Sequence, residues 1–186
     1  SPCTAVRLVH GESDGLPGLI VDRYGDFLVC QFLSAGAEHW KATIVAELER
    51  LLPCRGIYER SDADVRQKEG LPSASGVLHG AAPPAELKIQ AGEVASWADL
   101  VRGHKTGLYL DQRENQARVA DFSPGAEMLN CFCYTGGFGL WALRAGARHV
   151  TQVDASTDVL ALARRNTRLN GLDETRVAYV AANVFE

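Results

Sequence analysis

The sequence predicts an α/β protein, because two junctions between strands and loops in its second half have the chemistry of a ligand-binding parallel sheet. An apolar run from Met128 to Cys133 leads into a glycine-rich turn and then into an apolar helical segment that begins at Leu140. A second apolar run begins at His149 and ends on Asp154. A buried strand, a tight glycine turn and a helix, followed by an acidic strand end, is the arrangement that parallel-sheet proteins use for nucleotide-like ligands.

The glycine turn consists of Tyr134, Thr135, Gly136, Gly137, Phe138 and Gly139. Glycine lets a ligand approach the backbone closely, and the N–H groups at a helix N-terminus attract a carboxylate or phosphate. Dinucleotide-binding folds have the motif G-x-G-x-x-G at this turn, and P-loops end in G-K-[ST]. Neither motif is present here. The remaining pattern resembles class I S-adenosylmethionine-dependent methyltransferases, with Asp154 as a ribose-binding carboxylate. The alternative is a tight connection that binds no ligand.

Composition is that of an ordinary globular protein. Of the 186 residues, 46% are hydrophobic and 23% are charged. A chain of this length can form one large domain or two small ones with a buried core that needs no disulfides. We expect neither a membrane span nor a signal peptide, since no long apolar run is present. The five cysteines lack paired C-x-x-C spacing, so we expect no metal site and reduced thiols in a cytoplasmic protein. A net charge of −4 argues against general nucleic-acid binding but permits a local basic patch.

The first hundred residues predict a small sheet that packs against one amphipathic helix. The helix is expected because apolar residues recur at spacings of four, four and three from Trp40 to Leu51, and Pro53 ends it. The elements expected in this part are a hairpin at 18–32, the helix at 40–51, a strand at 57–59, a short polar helix at 62–69, a loop at 71–85 and a hairpin around Ala91 and Gly92.

Residues 103–115 connect this part to the glycine turn. Their second half predicts a helix that has Asp111 as its N-cap and continues to Phe122. Their first half is denser in hydrogen-bonding groups than a linker requires. Lys105 and Arg113 are therefore candidates for a wall of the ligand pocket, with solvated surface charge as the alternative.

A helix over 157–169 and a strand over 177–180 follow Asp154. Three arginines near the end of this helix suit the helix dipole, and we interpret them as structural, with RNA contact as the minority alternative. They are Arg164, Arg165 and Arg168.

Six segments carry a resemblance that extends over nearly the whole chain. In order, they are GESDGLPGLIVDRYGD, IYERSD, VRQKEGL, KTGLYLDQRENQ, LNCFCYTGGFG and RLNG. They are similar to the bacterial large-subunit ribosomal RNA methyltransferase I family, which methylates cytosine C5 in 23S rRNA with S-adenosylmethionine. In that family an RNA-binding PUA domain precedes a small α+β domain and a Rossmann-like methyltransferase domain. The resemblance implies that residues 1–101 form the α+β domain and 102–186 the N-terminal half, with three strands, of the methyltransferase domain.

The resemblance also implies the residues that bind the cofactor. They are Tyr109, Asp111, Gln112, Arg113, Tyr134, Thr135, Gly136, Gly137, Phe138, Asp154 and Asn183. The glycine turn would hold the methionine end, and Asp154 would accept hydrogen bonds from the ribose hydroxyls. Asn183 stands where many class I enzymes have an aspartate that binds the adenine amino group, and an amide oxygen can accept the same hydrogen bond.

Cytosine C5 methylation needs a thiolate that adds at C6 and a base that removes the C5 proton. In the family, the catalytic cysteine matches a position beyond Glu186, so we expect the catalytic residues outside this chain and the chain alone to be inactive. Cys131 and Cys133 alternate with Phe132 in a predicted strand and are expected to be packed rather than catalytic. Two alternatives stay open: a methyltransferase for another RNA base or a small molecule, and an inactive RNA-binding module.

The resemblance further implies a sheet of order 3-2-1-4-5, in which the strand at 128–133 is central. Its outer neighbour would lie beyond residue 186. We therefore expect an unpaired apolar edge and a homodimer or other self-association, while residues 1–101 behave as a stable unit.

Overall fold

The computed structural model describes residues 3–185, which form two compact units. The first unit comprises Cys3–Ile89 and Ala98–Leu110, and the second comprises Gln90–Trp97 and residues 111–185. The division into domains at residue 101 stays a prediction. Within residues 3–185, no helix is long and apolar enough to cross a membrane.

The first unit is built on a five-stranded sheet whose strands lie in sequence order. They are β1 (Ala5–His10), β2 (Leu19–Tyr24), β3 (Phe27–Phe32), β4 (Gly56–Ser61) and β5 (Ala74–Gly80). Neighbouring strands run antiparallel except β3 and β4, which are parallel. A parallel pair requires a crossover, and the helices α1 (Ala35–His39) and α2 (Lys41–Leu51) lie in that connection.

Alternating side chains of β3 supply two apolar clusters in the first unit. Leu28 and Phe32 are buried in a cluster that includes Ile44 of α2, and Val29 is buried in another with Leu100. The predicted amphipathic helix is thus confirmed from residue 41 onward. The helix begins one residue after the predicted start, with Trp40 as its N-cap, and the separate helix α1, capped by the Ser34 side chain, was not predicted.

The predicted loop at 71–85 is wrong, since β5 lies within it and pairs with β4. The two backbones come very close at one end of this strand pair, where Gly56 faces Gly80. A Cβ on Gly56 would collide with the carbonyl oxygen of Ala81. Pairing with β4, together with the packing of Leu78, therefore places β5, and β1 was not predicted either, although its Val6, Leu8 and Val9 are typical of a strand.

Further along the chain, α3 (Val65–Lys68) is shorter than the predicted polar helix, and β6 (Leu87–Ala91) and β7 (Val94–Ala98) form the predicted hairpin. The helix α4 (Arg113–Val119) follows a 3-10 turn at Leu110–Gln112. Asp111 is therefore not its N-cap. The chain enters α4 with Gln112 already in helical conformation, whereas an N-cap residue is extended.

The second unit contains a parallel sheet of three strands in the order β10-β9-β8. The strands are β8 (Glu127–Cys131), β9 (His149–Asp154) and β10 (Val177–Ala181), with the helices α5 (Gly137–Arg144) and α6 (Thr157–Leu169) in the two crossovers. This is the order predicted for the first three strands of a doubly wound sheet.

The strand β8 is shorter and more exposed than predicted. It ends at Cys131, because Phe132 and Tyr134 take left-handed backbone angles with φ of 55° and 49°. Met128 packs into the core formed with α5, but Leu129 on the opposite face is 65% exposed. Within the described chain β8 is hydrogen-bonded only to β9.

We expect the 186-residue polypeptide to self-associate, because an apolar strand edge is a template for pairing with another chain. Light scattering over a range of protein concentrations measures this directly. Leu129→Lys, which places a charge on the same edge, should reduce the association. A monodisperse monomer at every concentration would contradict the prediction.

Candidate cofactor site

The three strands of the second unit end at one edge of the sheet, and predicted site residues follow each of them. In the parallel register, Cys131 is paired with Val153, and Asp154 is paired with Ala181. The glycine turn after β8, the carboxylate of Asp154 and the amide of Asn183 therefore lie along the same edge. Open parallel sheets bind their ligands at this edge.

Asp154 is hydrogen-bonded to the glycine turn. Its Oδ2 atom accepts the N–H of Tyr134 at 2.9 Å, and its Oδ1 atom accepts the N–H of Ser156 at 3.0 Å. A carboxylate offers about four acceptor positions, so each oxygen can accept one further hydrogen bond from a ligand hydroxyl. The side chain is partly exposed, which leaves room for such a ligand.

The helix α5 begins inside the glycine turn. Gly136 is its N-cap, with a left-handed φ of 85°, and a Cβ there would lie 2.9 Å from Nε2 of Gln152. A residue with a side chain would thus be both strained and crowded at this position. The first N–H groups of α5 have no partner within the helix, and they carry the positive end of its dipole.

Three buried amide side chains lie beneath the turn. Asn130 donates to Oε1 of Gln152 at 2.7 Å, and Gln152 in turn donates to the carbonyl of Gly136 at 3.4 Å. Asn166 of α6 donates to the carbonyl of Thr135 at 3.0 Å. These three residues were not predicted from the sequence. The available signal was an amide in the middle of each of two apolar strands.

The helix α4 packs against the turn from the other side. A Cβ on Gly137 would lie 2.6 Å from Nε2 of Gln116, so glycine makes room for this side chain. Arg113 lies one helical turn before Gln116, and Gln112 donates to the Asp111 carboxylate at 3.0 Å. The structure thus places the segment with these three predicted residues at the start of the helix that contacts the turn.

Tyr109 belongs to the first unit, in a loop that buried polar groups hold in place. Thr106 is buried and donates to the buried Asp22 carboxylate at 2.6 Å. Lys105 places Nζ 4.5 Å from the Tyr109 ring centroid, and Nδ1 of His104 lies 3.3 Å from the Tyr109 hydroxyl. The roles of Tyr109 and Lys105 in ligand binding stay predictions.

Two exposed phenylalanines lie at the strand edge beside Asn183. The rings of Phe132 and Phe185 are 59% and 84% exposed, and their centroids are 5.4 Å apart. Oδ1 of Asn183 accepts the N–H of Phe185 at 3.2 Å, which ties the segment after β10 into a turn. Flat apolar surfaces next to an amide are suited to a purine ring.

Cys133 lies in an environment that does not favour a nucleophile. Cys133 is 5% exposed, and burial together with the nearby Asp154 charge raises the pKa of its thiol to about 12. A thiol with such a pKa stays protonated at neutral pH, and only the thiolate attacks. Cys131 is partly buried in β8. Both observations agree with the packing role expected from the sequence.

A family model described as S-adenosylmethionine-dependent methyltransferase matches residues 20–186. A relative from Shewanella amazonensis, named ribosomal RNA large subunit methyltransferase I, is 51% identical over 98% of this chain and 46% of its own length. The chain therefore spans about half the length of the curated relatives it matches.

Solved structures show the same similarity. "A putative sam-dependent methyltransferase from Streptococcus mutans" has a TM-score of 0.88 and 28% identity, over 98% of this chain and 47% of that chain. A second structure, "a putative methyltransferase complexed with SAH", has a TM-score of 0.87 and 28% identity, over 98% of this chain and 46% of that chain.

Proposed function

Because the chain belongs to the S-adenosylmethionine-dependent methyltransferase family, we propose that it carries the cofactor-binding part of an enzyme that methylates large-subunit ribosomal RNA. The observation that carries the proposal is the Asp154 carboxylate, which lies at the end of β9 and is bonded to the turn that opens α5. The RNA substrate is inferred from the names of the relatives. Cytosine C5 of 23S rRNA, the target that the motif resemblance implies, is the finer proposal.

The residues that follow the carboxyl ends of the three strands would each bind a different chemical group of the cofactor. The N-terminus of α5 would bind the carboxylate of the methionine end, and Asp154 would accept from the ribose hydroxyls. The amide of Asn183 and the rings of Phe132 and Phe185 would hold adenine. S-adenosylmethionine supplies a methyl group on a sulfonium, so the role of this edge is to orient that group.

We also propose that the first unit corresponds to the small α+β domain expected from the resemblance, in a cytoplasmic protein with an RNA substrate. Its mixed sheet and crossover helices fit that description. Exposed cations on its anchored loop, at Arg102 and Lys105, are candidates for contacts with RNA phosphates. The competing functions are methylation of another RNA base or a small molecule, and RNA binding without catalysis.

We expect the chain to bind SAH but not to transfer a methyl group. Binding should follow because the turn, Asp154 and Asn183 lie at the carboxyl ends of the three strands, and transfer to cytosine C5 should fail because, by the resemblance, none of the five cysteines of this chain matches the family's catalytic cysteine. Calorimetric titration with SAH measures the first property. Labelled S-adenosylmethionine with 23S rRNA measures the second.

The absence of SAH binding would contradict the proposed cofactor role of this edge. Labelled 23S rRNA in the second assay would contradict the expected inactivity. Label on free cytidine or on another small methyl acceptor in the same assay would likewise contradict the expected inactivity, and it would favour the small-molecule alternative.

A further inference from the structure

Asn166 of α6 and Asn170, the C-cap residue of that helix, bind the backbone of β7 in the place where another strand would otherwise pair. Asn170 accepts the N–H of Ala95 at 2.8 Å and donates to the carbonyl of the same residue at 2.7 Å. Asn166 accepts the N–H of Trp97 at 2.8 Å. The two asparagines are four residues apart and so share one helix face, while residues 95 and 97 share one edge of the strand.

Asn166 differs from Asn170 in one respect, because it also holds the glycine turn. Its Nδ2 atom donates to the carbonyl of Thr135 at 3.0 Å, while its Oδ1 atom accepts from Trp97. The side chain is fully buried. A buried amide whose oxygen accepts from one segment and whose nitrogen donates to another fixes both segments relative to α6.

The bond to Thr135 determines how the turn presents its N–H groups. In a trans peptide the N–H points away from the carbonyl of the same unit. Asn166 draws the Thr135 carbonyl toward α6, and the Gly136 N–H of that peptide donates to the Cys133 carbonyl at 2.9 Å. Gln152 draws the Gly136 carbonyl inward in the same way, so the Gly137 N–H is directed away from the sheet interior.

We propose that Asn166 is a positioning residue for the methionine end of the cofactor. It acts indirectly: by holding the Thr135–Gly136 peptide it fixes the residue from which α5 starts, and so the direction in which the following N–H groups of α5 face the cofactor carboxylate. The inference rests on the proposed function. A purely structural role for Asn166, in which it only attaches β7 to α6, is the alternative that the experiment must separate.

The experiment compares Asn166→Asp with Asn170→Asp in the full 186-residue chain. An aspartate at 166 keeps the acceptor for Trp97 but loses the donor to Thr135, whereas an aspartate at 170 loses only a donor to β7 and to its own helix. Each variant is titrated calorimetrically with SAH and, separately, with adenosine, which lacks the methionine end. Thermal unfolding of both variants is followed in parallel.

We expect Asn166→Asp to weaken SAH binding about tenfold and to leave adenosine binding unchanged, since one hydrogen bond at the methionine end is misdirected. Asn170→Asp should change neither affinity, even if it lowers the unfolding temperature as much. If Asn166→Asp does not fold, Asn166→Ala, which introduces no buried charge, takes its place with Asn170→Ala as its control.

Equal losses for SAH and adenosine, or a loss in Asn170→Asp that matches that in Asn166→Asp, would overturn the positioning role while the proposed function stands. A wild-type chain that binds neither compound would overturn the proposed function and the inference together.

Discussion

Asp154→Ala is expected to weaken binding of S-adenosylmethionine by about ten- to hundredfold. Charge-assisted hydrogen bonds that two ribose hydroxyls donate to a carboxylate are worth about 1.5–3 kcal/mol. The substitution also removes acceptors for the N–H groups of Tyr134 and Ser156, so the free energy of unfolding should fall by about 1–2 kcal/mol. Calorimetric titration and urea denaturation of the same sample measure the two effects.

The matched control for this substitution is Asp158→Ala. Asp158 is an exposed carboxylate in the first turn of α6, so its removal changes the net charge equally without affecting the turn. Its cofactor affinity should equal that of the wild type. Unchanged affinity in Asp154→Ala would rule out the ribose role of this carboxylate.

Gly56→Ala is expected to destabilise the first unit by about 3 kcal/mol, near the upper end for overpacking. The added Cβ would collide with the Ala81 carbonyl oxygen, which is backbone and cannot rotate away as a side chain could. The strands β4 and β5 would have to separate where Gly56 pairs with Gly80. Against a total stability of about 5–15 kcal/mol this is a large fraction, and denaturant titration measures it.

Gly36→Ala supplies the control of opposite sign. Gly36 lies inside α1, and a Cβ there would meet nothing nearer than Oγ of Ser34 at 4.0 Å. Alanine favours a helix over glycine by about 1 kcal/mol, so this variant should be neutral or slightly more stable. An unfolding midpoint for Gly56→Ala equal to that of the wild type would show that the two strands meet differently.

The elements that could be predicted from the sequence are those whose signal is local. The glycine-rich sequence between two apolar runs predicted the turn that begins α5. The acidic end of β9 could be placed beside that turn because the carboxyl ends of parallel strands lie at one edge of the sheet. The strand β5 could not, because its small residues read as a loop and only its pairing with distant β4 makes it a strand.

The buried residues that hold the glycine turn in place were harder to predict than the turn itself. Asn166 and the Thr135 carbonyl that it binds are 31 residues apart, and no periodicity relates them. Gln152 has the same difficulty, because an amide in an apolar strand indicates a buried polar network without naming its partners. Tyr109 matched a motif with its neighbours, yet it lies in the other compact unit, a division that spacing alone does not reveal.

The contacts of Asn170 also affect how the protein ages chemically. Asn170 precedes Gly171, and an asparagine followed by glycine can deamidate when the next backbone nitrogen attacks the side-chain carbonyl carbon. Here both ends of the amide are bonded to Ala95, and the attacking nitrogen is occupied, since the Gly171 N–H donates to the Arg168 carbonyl at 2.9 Å. The hydrogen bonds between Asn170 and β7 therefore hinder cyclisation of the Asn170 side chain onto the Gly171 nitrogen. Conversion of Asn170 to isoaspartate should proceed mainly from the unfolded chain.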